Sequence, residues 1–509
     1  MVKTKAQTIR PKHKPFSRLP RNVAAVLTFG RPPLVFGAFV AALWVIFTQS
    51  SLAYITGLSL LAMSMLFDWV DGWFAERFNP ESRLGPLVNR MMERLVFTII
   101  FPVLGAGMLW RYTRLAEGLD ARSARLLMLH ALFVVAIGVL VLVRDQFSTF
   151  IRSFAIRKGE DLESYELNQL QGLVGAPMAV LLYAYAFYLP TVGWEVFYGW
   201  LDWLDQVPLR AWLVLESLFL IVTFGSMTVH LRKYGMLALD DICGDDENLR
   251  RRILAVLPNA VTMLNGVMGV AAVVFASMGL VREALFILVG AAVFDKLDGT
   301  LARRLGLAGQ PGEKPGSQKI TLGAILDDIS DFVSFAMAPA AIFYLVMEDL
   351  THPPDLPVGL IAGLYALAGT ARLIYFTLDK TPVPGFFKGM PVPAAALLVM
   401  GPLEISSMLH RTNHPDAQAW ALGATLVMVA ASVAMNFYVV RWLHFGRLMS
   451  RNPMVTWGLS LLALVMVFTP FFGGMIFLLT LVYLLSPLMT WRISPAEAAR
   501  ERPREAKRS

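Results

Sequence analysis

Cysteine is almost absent from this 509-residue chain, with Cys243 the only one. A lone thiol excludes a disulfide framework within the chain and any cysteine-rich zinc site. Charge is also scarce. Asp, Glu, Lys and Arg supply 16% of the residues, where an average soluble domain has about 25%. Histidine is thin and scattered over His13, His130, His230, His352, His410, His414 and His444, with no ligand spacing beside an acidic motif. These read as structural or solvent-exposed residues rather than metal ligands. The formal net charge of +8 does not mark a nucleic-acid binder, because Lys and Arg gather in short stretches between apolar runs and at the two tails. No nucleic-acid partner is expected. Met1 to Pro32 is basic but too poor in apolar residues for a cleavable signal.

What the chain has in quantity is hydrophobic residues, 56% of the total. They are bunched into runs near 33–49, 52–67, 95–110, 127–143, 173–190 and 211–230, then near 259–277, 281–296, 332–348, 357–376, 391–409, 418–440, 454–470 and 473–490. A helix needs about 20 mainly apolar residues to cross a bilayer, so these runs predict an all-α, polytopic transmembrane bundle of about fourteen helices, split six and eight. The break falls in the polar stretch Leu231–Arg252, where Asp240, Asp241, Asp245, Asp246 and Glu247 precede Arg250, Arg251 and Arg252. The expected organisation is a basic segment over 1–32, a first domain over 33–235, a polar linker over 236–255, a second domain over 256–491 and a basic tail over 492–509. Alternating the helices puts both termini on the side richest in Lys and Arg, which predicts a cytoplasmic placement for both. Arg111, Arg114, Arg122 and Arg125 fall on the opposite side and run against that vote. The tail is expected to lie against anionic membrane lipid.

Carboxylates near membrane depth are costly and usually functional. Asp295-Lys-Leu-Asp298-Gly299-Thr-Leu-Ala302-Arg303 closes one predicted helix, and Gly323-Ala-Ile-Leu-Asp327-Asp328-Ile-Ser-Asp331 opens the next. Residues three or four apart share a helical face, so Asp295 pairs with Asp298 and Asp327 with Asp331. Asp328 points about 100° away from Asp327 and reads as a supporting or solvated acid. Four acids converging from two helices make an oxygen-only site suited to Mg²⁺ or Mn²⁺. Two such ions can clamp a diphosphate and stabilise a leaving phosphate. Gly299 and Gly323, without side chains, leave room for a ligand or a partner helix.

The pattern D-x-x-D-G-x-x-A-R followed by G-x-x-x-D-x-x-x-D resembles the signature of the CDP-alcohol phosphatidyltransferase family, and the second half meets every position of it. Leu257-Pro-Asn259-Ala-Val-Thr262-Met-Leu-Asn265-Gly266, Ser330-Asp-Phe-Val-Ser334-Phe-Ala-Met-Ala-Pro339, Ala371-Arg372-Leu and Gly389-Met-Pro391-Val-Pro393-Ala-Ala-Ala396 are similar to its phosphatidylserine-forming branch. The resemblance implies that Asp295, Asp298 and Asp327 bind metal, and that Asp331 binds metal and serves as general base. It further implies that Gly299, Ala302, Arg303 and Gly323 line the CDP site. Arg372 and Lys388 are candidates for holding the acceptor, or else topogenic and lipid-facing cations. The departures are the long stretch from Arg304 to Leu322 and Tyr375, which stands where a second arginine is expected.

The first half carries a weaker copy. Asp68-Trp-Val-Asp71-Gly72-Trp-Phe-Ala75-Glu76-Arg77 and Gly85-Pro-Leu-Val-Asn89-Arg-Met-Met-Glu93 keep the frame but replace the arginine by Glu76 and the later aspartates by Asn89 and Glu93. Leu27-Thr28-Phe-Gly-Arg31 and the run from Arg144 to Gly159 are similar to phosphatidylglycerophosphate-synthase-type members of the same family. A degenerate domain that scaffolds or dimerises with the second half, and a second active domain, are both open.

The expected function is a membrane phosphatidyltransferase condensing CDP-diacylglycerol with an alcohol, L-serine first, to give phosphatidylserine and CMP. The same chemistry on glycerol 3-phosphate, inositol phosphate or another polyol is the alternative, as is a bifunctional enzyme. A transporter or a non-catalytic scaffold would belong to a different class, and a homodimer is compatible with each. Acids at helix ends rather than at mid-bilayer count against a transporter.

Overall fold

The structure, a computed structural model, describes residues 18–78, 85–157, 165–189, 199–230, 235–244, 246–307, 322–350, 355–379, 383, 385–444 and 453–490. Most of the basic opening segment, the greater part of the Arg304–Leu322 stretch and the basic tail lie outside the described residues. The chain forms two compact units, Met1–Ile242 and Cys243–Ser509.

The first unit is built from α1 (Arg18–Thr48), α2 (Ser51–Phe78), α3 (Gly85–Leu115), α4 (Ala121–Arg157), α5 (Tyr165–Ala186) and α6 (Leu209–His230). α1 starts well before the span expected from residue 33 and runs through Pro32 and Pro33. Within a membrane helix the carbonyls freed by proline are answered by neighbouring groups, so the pair does not end it. Asp120 opens α4 by accepting from the Arg122 and Ser123 amides at 3.1 and 3.2 Å. Hydrogen bonds from Ser123, side chain and backbone, hold its carboxyl below the ordinary carboxylate value. The core of this unit is aromatic: Tyr54, Phe101, Tyr183, Phe187 and Trp212 are fully buried.

A short helix, α7 (Met236–Cys243), occupies the junction that composition marks as a linker. The second unit then runs through α8 (Glu247–Ser277), α9 (Val281–Arg304), α10 (Leu322–Asp331), a π-helical turn Phe332–Met337 and α11 (Ala338–Asp349). It continues with α12 (Val358–Leu378), β1 (Phe386–Lys388), α13 (Val392–Arg411), α14 (Ala417–Asn436), β2 (Arg441–Leu443), α15 (Pro453–Val467) and α16 (Phe472–Leu485). Asp246 caps α8, its side chain accepting from the Asn248 and Leu249 amides. At the far end Gly279, at φ +74°, takes the left-handed conformation that stops the helix, and the Leu280 amide returns to the Phe275 carbonyl. α9 therefore folds straight back along α8. β1 and β2 pair antiparallel, with Lys388 opposite Arg441.

The second core is rich in alanine: Ala272, Ala276, Ala284 and Ala291 on α8 and α9, and Ala395, Ala396, Ala421, Ala424 and Ala431 on α13 and α14. Small residues let helix backbones approach closely where lipid offers no hydrophobic drive to associate. Large apolar side chains face outward instead, as Leu360, Leu364 and Leu367 do along α12. Each of the expected apolar runs coincides with a helix. Among the described residues, however, eight helices are long and apolar enough to span a membrane, or nine if Gly199–Gln206 and Leu209–Gly225, bent by 91°, count as one. α9 ends in charged residues, and α15 and α16 are short, which accounts for part of the difference from about fourteen. The protein is an integral membrane protein.

Candidate active site

The last turns of α9 carry Asp295 and Asp298, and α10 carries Asp327 and Asp331. Carboxylate oxygens of Asp295, Asp327 and Asp331 lie within 4.8 Å of one another. Asp298 is buried beside this trio. One of its oxygens faces the Thr262 hydroxyl at 2.6 Å, and the other accepts from the Gly299 amide.

α8 supplies the support. Pro258, Thr262, Asn265 and Gly269 form its buried face, spaced one helical turn apart. The Asn265 amide nitrogen donates to Asp331 at 3.1 Å, and the Asn265 backbone carbonyl accepts from the Ser334 hydroxyl at 2.8 Å. The approach is close because Gly269 has no side chain: a Cβ there would lie 2.5 Å from the Ser334 Cα. Ser334 belongs to the π-helical turn that begins directly after Asp331. Such turns widen a helix locally and often mark functional positions.

The electrostatics call for a cation. Two ionised oxygens 4.8 Å apart repel by about 3 kcal/mol at an effective dielectric near 20. Among the described residues none of the four acids is ion-paired, and their hydrogen-bond donors are the neutral Thr262, Asn265 and Gly299. The Asn265 side-chain oxygen is buried with no hydrogen-bond partner. An oxygen-only, uncompensated, partly buried cluster fits a hard divalent metal. Asp295, Asp327 and Asp331 are the residues placed to hold it.

The remaining candidates are distributed around this cluster. Gly299, Ala302 and Arg303 occupy the next turns of α9; Arg303 is exposed, and a Cβ on Gly299 would lie 3.6 Å from its guanidinium. Gly323 lies against Asn259, whose side-chain oxygen would be 2.9 Å from a Cβ at that position. Asp328 is not idle, since the Thr377 hydroxyl of α12 sits 3.1 Å from each of its oxygens. Lys388 is engaged by Asp379, with its Nζ 2.9 Å from both carboxylate oxygens. Arg372 is 3% exposed and its Nε has no hydrogen-bond partner.

In the first unit the Arg31 guanidinium of α1 meets Asp68 of α2 at 2.7 Å, with side-chain exposures of 3% and 12%. Asp71 is partly buried. Gly72 falls on the helical backbone of α2 and Asn89 and Glu93 on that of α3, but the surroundings of all three lie outside what the structure describes. Elsewhere in this unit His130 and Glu216, both fully buried, meet at 2.9 Å. Sequence spacing carries no signal for such a pair, whose partners are 86 residues apart. The supporting roles of Thr262 and Asn265 were likewise missed; their one-turn spacing with Pro258 was the available signal.

The sequence profile described as CDP-alcohol phosphatidyltransferase matches residues 21–222 and again 255–435. Three curated relatives illustrate the similarity. A CDP-diacylglycerol–serine O-phosphatidyltransferase of Mycobacterium leprae is 30% identical over 227 residues, covering 37% of this chain and 70% of the relative. One of the same name from Methanocaldococcus jannaschii is 34% identical over 151 residues, 30% of this chain and 61% of the relative. An archaetidylserine synthase of Methanothermobacter thermautotrophicus is 29% identical over 180 residues, 35% of this chain and 66% of the relative. This chain thus spans roughly two thirds of the length of the curated relatives it matches.

Proposed function

The chain belongs to the CDP-alcohol phosphatidyltransferase family, and on that premise we propose that its second half condenses CDP-diacylglycerol with L-serine to give phosphatidylserine and CMP. The observation that carries the reading is the uncompensated trio Asp295, Asp327 and Asp331, built on a motif that keeps every family position. A serine hydroxyl is a poor nucleophile at neutral pH, so a positioned carboxylate must take its proton as attack on phosphorus proceeds. Asp331 is that base, held in orientation by the Asn265 amide. The new oxygen–phosphorus bond forms to the phosphate bearing diacylglycerol, the bond to the CMP oxygen breaks, and CMP leaves. Gly299, Ala302, Arg303 and Gly323 line the nucleotide side, where the two glycines and the alanine leave room for the pyrimidine and the diphosphate and Arg303 supplies a positive charge. Asp295, Asp327 and Asp331, with Asp298 alongside, would hold Mg²⁺ or Mn²⁺, which would supply charge neutralisation for the diphosphate. The serine acceptor is supported by the names of the relatives and by the similarity around Ala371-Arg372-Leu.

The first half is read as a degenerate copy with a supporting role. Asp68 already has its counter-charge in Arg31, and Glu76 stands where the family motif has a cation. Both termini and the acidic end of the second half are assigned to the cytoplasmic face on the distribution of Lys and Arg.

The test is the purified full chain with phosphate-labelled CDP-diacylglycerol and a panel of L-serine, glycerol 3-phosphate and inositol phosphate. Equal amounts of CMP and labelled phosphatidylserine are expected with serine. CMP release that depends on a different acceptor would overturn the serine assignment.

A further inference from the structure

The inference concerns how the first unit is seated in the bilayer, and it does not depend on the transferase reading above. Between α5 and α6 lie two single helical turns, Gly199–Leu201 and Trp203–Gln206. Together they meet the start of α6 at 91°. α6 has 22 residues, enough to cross the hydrocarbon core without them. An element perpendicular to a span lies in the plane of the membrane.

The contacts of this element fix its depth. The buried His130–Glu216 pair joins α4 to α6, nine residues on from Ala121 and seven on from Leu209. At about 1.5 Å of rise per residue, the two helices begin within about one turn of the same level. Arg111, near the end of α3, reaches Asp205 with one guanidinium nitrogen and the Tyr185 carbonyl at 3.0 Å with the other. The Tyr188 hydroxyl donates to Asp202 at 2.5 Å. Eighteen residues of α3 separate Glu93 from Arg111, about 27 Å of helix, which is close to the thickness of the hydrocarbon core. The element therefore lies one membrane thickness away from the first unit's motif. Arg111, one of the four arginines that run against the expected distribution of Lys and Arg, is a structural ion-pair partner there.

The two turns present different faces to the bundle and to the outside. Leu201 and Leu204 are buried, whereas Trp200 and Trp203 are 68% and 47% exposed. Asp202 between the turns is also helical, at φ −60° and ψ −24°, so Trp200 and Trp203, three apart, share one face. Tryptophan combines a broad apolar ring with a single N–H donor, which favours the level where acyl chains meet head groups.

We propose that Gly199–Gln206 is an interfacial anchor, lying where head groups meet acyl chains in the leaflet opposite the first unit's motif, with phospholipid as the partner of Trp200 and Trp203. Asp205 ties the anchor to Arg111 of α3, and Asp202 ties it to Tyr188 beyond α5. The lipid boundary thereby sets the depth of the first unit.

The test uses the full chain with Cys243→Ser, which removes the one native thiol, in phosphatidylcholine–phosphatidylglycerol vesicles. A bimane fluorophore is attached at Trp200→Cys or, separately, at Trp203→Cys, so that a folding failure of one variant leaves the other. Quenching at both positions should be at least threefold stronger with lipid carrying a nitroxide at the top of the acyl chain than at its end. Aqueous iodide should quench at least threefold less than it quenches bimane on free cysteine. Stronger quenching by the deep nitroxide would put the element inside the span. Iodide quenching equal to that of the free conjugate would put it in water. Protection from both nitroxides and iodide would mean that protein, such as a second copy of the chain, covers the tryptophans. Each of these three results overturns the proposal.

Discussion

The two units answer the charge of their motif acids in opposite ways. In the second, Asp298 and Asp331 are held by neutral donors, Thr262 and Asn265, so their negative charge is kept and concentrated. In the first, Asp68, which opens the corresponding motif, is paired with the buried guanidinium of Arg31. Hydrogen bonds from neutral groups orient a carboxylate without cancelling it, whereas an arginine does both. A site that must attract a divalent cation is built in the first way. In the reading proposed above, an acid in the second state already has its counter-charge and draws a divalent cation less strongly. The cores differ too: alanine lines many of the helix contacts of the second unit, while bulky aromatics fill the first.

Removing metal should break this comparison most completely. With excess chelator, CMP release should vanish, returning with Mg²⁺ or Mn²⁺ but not with Zn²⁺ alone, because every candidate ligand is an oxygen. Full activity in chelator would mean that the uncompensated acids have another purpose.

Next in size is Asp331→Asn. The shape is nearly preserved, but a proton acceptor and a metal ligand are lost together, and turnover should drop by about 100-fold or more. Thermal unfolding of the variant should stay close to wild type. Near-normal CMP release would remove Asp331 from the reaction.

Thr262→Val tests the supporting donor. Loss of the hydroxyl leaves Asp298 free to reorient, and the cost should be about tenfold in turnover with a higher metal requirement, as for other groups that orient metal ligands. An unchanged metal dependence would show that Thr262 only packs.

Much of this was legible along the chain, and what was not has a physical reason. The acids were readable because three- and four-residue spacing along one helix is a local property. Thr262 and Asn265 were visible as residues but not as donors, since their partners are 36 and 66 positions away. Arg372 and Lys388 look alike in sequence, both cations on one predicted side. Folding separates them, because Lys388 is ion-paired directly with Asp379 while the Arg372 guanidinium is buried over the Phe376 ring. The start of α1 is not legible from apolar residues, because the helix opens with Arg18 and Arg21 while the long apolar run begins only near residue 33. The six and eight expected apolar runs fall on helices, and among the described residues some of these, such as α9 with its charged end, are not apolar enough over their whole length to count as a full span by composition alone.

A smaller effect on activity is expected from Arg31→Gln. Taking one partner from a buried ion pair typically costs about 3–5 kcal/mol, so the first unit should unfold at lower temperature while CMP release at low temperature stays within a few-fold of wild type. A large loss of turnover in the still-folded variant would give the first unit a direct part in catalysis.

The central claim is that the second unit carries the reaction and the first does not. It is tested most directly by comparing Asp298→Asn with Asp71→Asn, each in the purified full chain, for CMP release and for every lipid product from labelled CDP-diacylglycerol. The account predicts that Asp298→Asn abolishes phosphatidylserine formation and that Asp71→Asn leaves it within a few-fold of wild type. If Asp71→Asn instead abolished one lipid product and Asp298→Asn a different one, both units would be active, and the contrast between them would be one of acceptor rather than of function.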